Sequence, residues 1–512
     1  MLNFRRAHEV SPRVALALAC LWLACTAALR PLAVPDEGRY VGVAWEMLQS
    51  GDWLVPTLDG LPYFQKPPLF YWITAASLHV FGRFEWAARL APFVGAMFAA
   101  VSMHWFARQC WSLRGANRML LVLATLPMLF VAAQFANMDM LVAGCISVTI
   151  VTLARACMLD PEASGCRRLQ CVGFAFAGLG VLAKGLIGLV LPLMVLVLWS
   201  LALRRPRQIA RMLWLPGWLV FALVAAPWFV LVQSRHPQFL HYFFVVQHVD
   251  RFTQATFNNP QPAWFYPAVL AILCLPWTAW FLAGRPSGDE AAVLEVRLLM
   301  WTWLLGVVAF FTIPHSKLLG YVLPVLPPLS FLVAQRLPSG ARAGRRPWAL
   351  FIACVALAAS GCIGLVATAA QLASKSTQPL AGALAGRGSD GVVFLNAYYF
   401  DLPFYAGLHG SVALLDDWDA RSRMHLDDWH REVSEAATFA PDLGRKLLRS
   451  ASTLDHLNCP GRTSWIVGDA RAAANYPLLS AHVPVAVSGG VAVWKVPGWV
   501  PDPDACGRVP LP

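Results

Sequence analysis

Apolar stretches recur along the chain from Val14 to Leu372, separated by short clusters of arginine, proline and polar residues, and then give way to a tail of mixed character. A helix needs ~20 mostly apolar residues to cross the hydrocarbon core of a bilayer. By that measure the pattern predicts eleven spans, near 14–33, 87–107, 119–137, 139–158, 169–183, 185–203, 212–233, 263–283, 298–313, 318–335 and 348–372. The stretch Leu69–Gly82 is also apolar, but its fourteen residues are too few, and it is expected to lie flat on the membrane surface. Val14–Ala33 has the hydrophobicity of a signal peptide without a convincing small-residue cleavage site. Further spans follow it, so it is expected to stay as an anchor.

The arginines fix the orientation that this pattern implies. With the N-terminus inside, nineteen basic residues fall on the cytoplasmic side and nine on the other, in accord with the positive-inside rule. Counting Leu69–Gly82 as a crossing would scramble that bias. The first 372 residues then carry a charge of +14 and the remainder −2, so the overall +12 mostly reflects topology. A hydrophobic share of 58% with only 13% charged residues excludes an ordinary soluble protein. No contiguous basic face with base-reading groups argues for nucleic acid.

The expected fold is therefore mainly α, a polytopic membrane protein with about eleven transmembrane helices and juxtamembrane helices. The membrane domain would be 1–372, with a juxtamembrane segment at 34–86, and 373–512 would form a small α/β domain outside the cytoplasm. In the tail, short apolar runs at Gly391–Leu395, Ser411–Leu415, Trp465–Val467 and Val485–Val496 read as strands, and Asp427–Leu448 is compatible with helix. Of twelve cysteines, only Cys459 and Cys506 lie in the tail, where an oxidising compartment would let them pair or leave them as two thiols.

Ionisable residues other than arginine sort to the same outer side: Asp36, Glu37, Lys66, Asp139, Lys184, His248 and Lys317 among them. Charge held at one membrane boundary points to a single outward-facing site. Asp36 and Arg39 are three residues apart and would share a helix face, either as an ion pair or as site groups. Lys66 is followed by Pro67-Pro68 and preceded by Tyr63-Phe64-Gln65, so its ammonium is presented by a stiff backbone at headgroup depth, suited to a lipid phosphate. Asp139 lies in the tight turn Asn137-Met138-Asp139, where it could cap the next helix or act as a second acid. Lys184 and Lys317 add two more cations at the same level, Lys184 being readable also as a snorkelling side chain.

These elements resemble the GT-C membrane glycosyltransferases that use polyprenyl-phosphate sugars, and within them the aminoarabinose (lipid A) transferases. The matching stretches run from Pro35 to Trp72, through Asn137–Asp139, Leu182–Gly188 and His241–Phe252, to His315–Leu329. The resemblance implies an undecaprenyl-phosphate-linked sugar donor, lipid A phosphate as acceptor, and a monomer in the bacterial inner membrane with a periplasmic active site. It makes Asp36, with Glu37 beside it, and Asp139 the candidate catalytic carboxylates. Lys66, Arg39 and Lys317 are the candidate donor-phosphate ligands, and Tyr63, Gln65, Lys184, His248 and Tyr321 the candidate substrate contacts. The family commonly carries Glu before the motif lysine, where this chain has Gln65. The resemblance makes no cofactor certain, and a divalent metal held with His248 stays open, as do the identity of the sugar and whether transfer retains or inverts configuration. Two other readings remain on the residues alone: the same chemistry with a protein or glycan acceptor, and a lipid-linked sugar transporter. The transporter reading would favour charges at the midplane and internal repeats, and neither is seen.

Overall fold

The computed structural model describes residues 10–250, 260–283, 291–338, 345–371, 375–388, 390–418, 428–455, 459 and 461–501. It is mainly helical, and a six-stranded mixed sheet forms the C-terminal part. Among the described residues six helices are long and apolar enough to cross a membrane: Leu90–Cys110, Asp139–Met158, Gly165–Lys184, Leu215–Arg235, Leu294–Thr312 and Arg345–Gln371. The other five expected spans fall on shorter or broken helices, and proline accounts for most of the breaks. Pro127 separates Leu113–Thr125 from Pro127–Ala132, and Pro276 lies between Phe265–Leu273 and Trp277–Ala283. A 3-10 turn, Leu319–Val325, holds Pro324 and leads into Leu326–Ala334. Proline lacks the N–H a helix interior uses and clashes with the preceding turn. Pro12–Ala24 is a helix of only thirteen residues, N-capped by Ser11, and Ile187–Ala202 has sixteen. Leu69–Phe81 is a separate thirteen-residue helix.

The helix Asp139–Met158 is buried along nearly its whole length and forms the centre of the bundle. It crosses Leu90–Cys110 backbone to backbone. A Cβ on Gly144 would come within 2.1 Å of the Gly95 carbonyl oxygen, and one on Gly95 within 2.4 Å of Leu141 Cα. Small residues at such a crossing let two helices approach where a larger side chain would hold them apart. By contrast, Arg345–Gln371 buries only Ala358, Cys362 and Val366, a stripe at intervals of four, and leaves its remaining surface apolar and open, as a helix facing lipid would.

A two-stranded hairpin, β1 (Thr57–Leu58) and β2 (Leu61–Pro62), precedes Leu90–Cys110 in the chain. In the C-terminal sheet β3 (Gly391–Leu395), β4 (Ala413–Asp416), β5 (Leu448–Ser450) and β6 (Thr463–Asp469) pair in parallel, while β8 (Val491–Pro497) runs antiparallel between β6 and the edge strand β7 (Ala486–Ser488), in the order β5-β4-β3-β6-β8-β7. Alternation along β3 sends Val393 and Leu395 to a core shared with Ile466, Trp494 and Trp499, and Phe394 to the opposite face, which is continuous with the helical core. The helix Asp36–Ser50 carries much of the contact between the sheet part and the bundle. A Cβ on Gly38 would meet the Asp401 nitrogen at 2.9 Å, and the Trp45 indole donates to the Leu408 carbonyl at 3.1 Å. Cys459 is in a disulfide, and Cys506 lies outside the described residues.

Candidate active site

The helix Asp36–Ser50 opens with two adjacent acids, a favourable placement at the positive end of a helix dipole. Their side chains then diverge, because successive residues are about 100° apart around a helix. Asp36 projects with Arg39 and Tyr40 into a cavity of about 330 Å³ at one end of the bundle. Glu37 turns inward and is fully buried.

Seven stretches of chain meet at the cavity. Besides Asp36, Arg39 and Tyr40 it is lined by Gln65 and Lys66, by Asn137, Met138 and Asp139, by Lys184, by Leu318 and Tyr321, and by Phe400, Asp428, Trp429 and Glu432 from the C-terminal part. Asp36 is half exposed and pairs with Arg39 at 2.5 Å. The same guanidinium pairs with Glu432 and lies 4.9 Å from the Tyr40 ring. Burial would lower the Arg39 pKa, but the neighbouring ionisable groups Tyr40, Glu432, Tyr63 and Asp36 outweigh it and raise it well above its ordinary value.

Asp139 begins its helix, and its backbone N–H donates to Asn137 Oδ1 at 3.0 Å while Asn137 Nδ2 donates to Asp139 Oδ2 at 3.3 Å. The carboxylate pairs with Lys184, whose ammonium sits 4.6 Å above the Tyr321 ring. Gly320 closes this corner: a Cβ there would fall 1.9 Å from Asp139 Oδ2, so no other residue fits without displacing the acid.

Other expected site residues take different places. Glu37 is the hub of a buried network, pairing with Arg30 and Arg89 and accepting from the Ala33 and Ala136 backbone N–H groups at 2.8 and 2.7 Å. Burial alone would raise its pKa, but the Arg89 and Arg30 guanidiniums prevail and bring it to about 2. Tyr63 is buried behind the cavity and donates to Gln65 Oε1 at 3.0 Å, so it orients the amide rather than lining the space. Lys317 is buried as well, donating to the Gln261 and Pro314 carbonyls at 2.8 and 2.7 Å, while its neighbour Leu318 lines the wall. His248 falls on the helical stretch His241–Asp250 and lies outside the residues whose side chains are described. Among the described residues no three His, Cys, Asp or Glu side chains gather as a metal site.

The residues that the C-terminal part contributes to the wall were not singled out from sequence. Asp428 caps the helix Trp429–Ala437, its carboxylate accepting from the His430 and Arg431 backbone N–H groups at 3.1 and 3.4 Å. Glu432 reaches Arg39, and Glu435 accepts from the Tyr242 hydroxyl at 2.6 Å. The available signal was the acidic spacing 428, 432, 435, which marks one helix face. Its partners could not be read from it.

Known proteins resemble this chain both in sequence and in fold. Residues 65–230 match the family model described as dolichyl-phosphate-mannose-protein mannosyltransferase. An undecaprenyl phosphate-alpha-4-amino-4-deoxy-L-arabinose arabinosyl transferase of Aeromonas hydrophila subsp. hydrophila is 34% identical over 310 residues, covering 60% of this chain and 56% of the relative. Its Yersinia enterocolitica counterpart is 30% identical over 308 residues, covering 60% and 55%. The chain thus matches a little over half the length of these curated relatives. In fold it is similar to the crystal structure of ArnT from Cupriavidus metallidurans bound to undecaprenyl phosphate, with a TM-score of 0.77 at 24% identity over 94% of this chain and 97% of that one. The archaeal oligosaccharyltransferase AglB from Archaeoglobus fulgidus aligns more loosely, with a TM-score of 0.52 at 13% identity over 90% and 69%. The resemblance read from the motifs is borne out by these similarities.

Proposed function

We propose that the chain is a membrane glycosyltransferase that moves an aminosugar of the 4-amino-4-deoxy-L-arabinose type from undecaprenyl phosphate to an envelope lipid, with lipid A phosphate as acceptor. The observation that carries this reading is the cavity itself, where Lys66 and Arg39 lie among carboxylates at the helix ends, in a fold similar to a structure solved with undecaprenyl phosphate bound. The whole-chain arrangement we propose is eleven spans with the N-terminus in the cytoplasm, the site on the periplasmic face of the inner membrane, and the division into 1–372 and 373–512.

In this mechanism the bond between the anomeric carbon and the phosphate oxygen breaks, and the electron pair leaves with polyprenyl phosphate. Lys66, with Arg39 beside it, stabilises that developing charge as a fixed cation. An acceptor oxygen forms the new bond to the anomeric carbon. A phosphate acceptor arrives already anionic, so Asp36 orients it, and no strong base is needed. Asp139, held against Lys184, is the second acid of the site. Two lipid substrates held at one interfacial cavity also gain proximity. Gln65, fixed by Tyr63, contacts the sugar through a neutral amide.

Mass spectrometry of lipid A from cells with and without the gene tests the reading. The expected result is an aminopentose on the phosphate that disappears with Lys66→Ala. An unchanged lipid A profile with donor available overturns the acceptor, and full activity of Lys66→Ala overturns the phosphate role. The mannosyltransferase match over 65–230 makes a protein hydroxyl the second acceptor to examine by the same method.

A further inference from the structure

Four carboxylates line the cavity, and they differ in what neutralises them. Asp139 is held by Lys184, and Asp36 and Glu432 share Arg39. Asp428 is a third exposed, and the bonds its carboxylate makes stay within its own helical turn. One oxygen, Oδ1, does the capping. The other, Oδ2, is held by His430 Nδ1 at 3.2 Å, and His430 Nε2 is held in turn by Asp416 Oδ2 at 2.7 Å, at the buried end of β4. A cap needs only one oxygen. The second one lies against the His430 ring, which sits between Asp416 and Asp428 and, when neutral, donates to only one of the two carboxylates.

Trp429 lines the cavity beside it and is equally well fixed. Its indole stacks on the His430 ring with centroids 3.7 Å apart, and Trp418 packs edge-on against both at 5.7 and 5.8 Å. A rigid aromatic ring offers its electron-rich face to positively polarised groups, such as the C–H edge of a sugar or an ammonium. A fixed carboxylate next to a fixed indole, in a cavity whose other acids already have cationic partners, matches a ring that bears a protonated amine.

We infer that Asp428 and Trp429 form the sugar-selecting wall of the cavity, with Asp428 pairing to the amine of the donor sugar and Trp429 packing against its ring. The C-terminal part then sets which sugar is transferred, and the helix ends of the bundle carry out the transfer. His430 is a positioning residue in this arrangement. The inference rests on the donor reading given above.

The test uses the full chain in lipid nanodiscs with lipid A as acceptor and two donors: undecaprenyl-phosphate-linked 4-amino-4-deoxyarabinose and undecaprenyl-phosphate-linked arabinose, which has a hydroxyl in place of the amine. Asp428→Asn keeps a good helix cap and removes the charge. A charge-assisted bond predicts a loss of about ten- to a hundredfold in kcat/KM for the amino donor, mainly in KM, with the arabinose donor nearly unaffected. Trp429→Ala is expected to weaken both donors, and Trp429→Phe to recover most of that loss. An equal loss on both donors with Asp428→Asn makes the residue structural and overturns the inference, as does no loss on either, or a change confined to the acceptor KM. A wild-type protein that transfers from neither donor overturns the donor reading itself, which separates the two failures.

Discussion

Arg39, at the first turn of the helix Asp36–Ser50, forms an ion pair with Glu432, 393 residues further along the chain. The pair ties the C-terminal helix to the wall of the cavity, and both side chains are largely buried. Residues in direct contact couple when mutated, by about 0.5–3 kcal/mol. A double-mutant cycle of Arg39→Gln and Glu432→Gln, read by thermal unfolding in detergent, should give a coupling in that range. Strict additivity would show that the two ends of the chain are held by other contacts.

Adjacent acids should behave in opposite ways. Glu37→Gln leaves Arg30 and Arg89 without their shared counter-charge inside the protein, and breaking a buried pair costs about 3–5 kcal/mol. Low yield and a lowered Tm are expected. Asp36→Asn, at a half-exposed position, should fold normally and lose transferase activity. Purified yield and Tm set against activity for the two variants distinguish these outcomes.

Gly320 should not tolerate even alanine. The added methyl would overlap Asp139 Oδ2, so Gly320→Ala is expected to reduce kcat by at least about tenfold through displacement of the acid. Gly361→Ala, which opens onto empty space, is the matched control and should be neutral.

Much of the framework was legible because it depends on local periodicity. The helix Asp139–Met158 and the strand β3 fall where apolar length and alternation put them. Asp36, Arg39, Lys66, Asp139, Lys184 and Tyr321 share a cavity because each lies near a helix end or turn at one level of the bundle, which hydropathy can locate. What stayed hidden depends on angle and on distant partners. Adjacency in sequence does not show that Glu37 faces Arg89 while Asp36 faces the cavity, and a lysine near a span end, such as Lys317, does not reveal that two backbone carbonyls hold it. Glu432 and Asp428 lie in a stretch that sequence marks only as compatible with helix, and it is the tertiary fold that brings Glu432 to Arg39 and Asp428 to the cavity wall.

Stability should also carry a pH signature from Glu46. Removal from water raises this carboxyl from 4.5 to about 7, against the pull of hydrogen bonds from the Gly60 and Asp59 backbone N–H groups and the Thr57 hydroxyl. The folded state therefore holds its proton more tightly than the unfolded chain does. Stability from this group is fully present below pH 4.5 and is lost as the pH rises towards about 7. Asp59, raised by its own burial and by Glu46, acts in the same direction. Tm measured across this range should fall as pH increases, and Glu46→Gln should flatten the slope. An unchanged slope in that variant would assign the effect elsewhere.

The contact between Gly95 and Gly144 acts as a height gauge for the chemistry. Two backbones that touch cannot slide or tilt independently, and Asp139 stands five residues along the helix from Gly144. The acid's level relative to the helix Leu90–Cys110 is thus set by a joint that contains no reactive group. A single methyl inserted there would work as a shim, shifting one charged group of the cavity against the others without touching any of them.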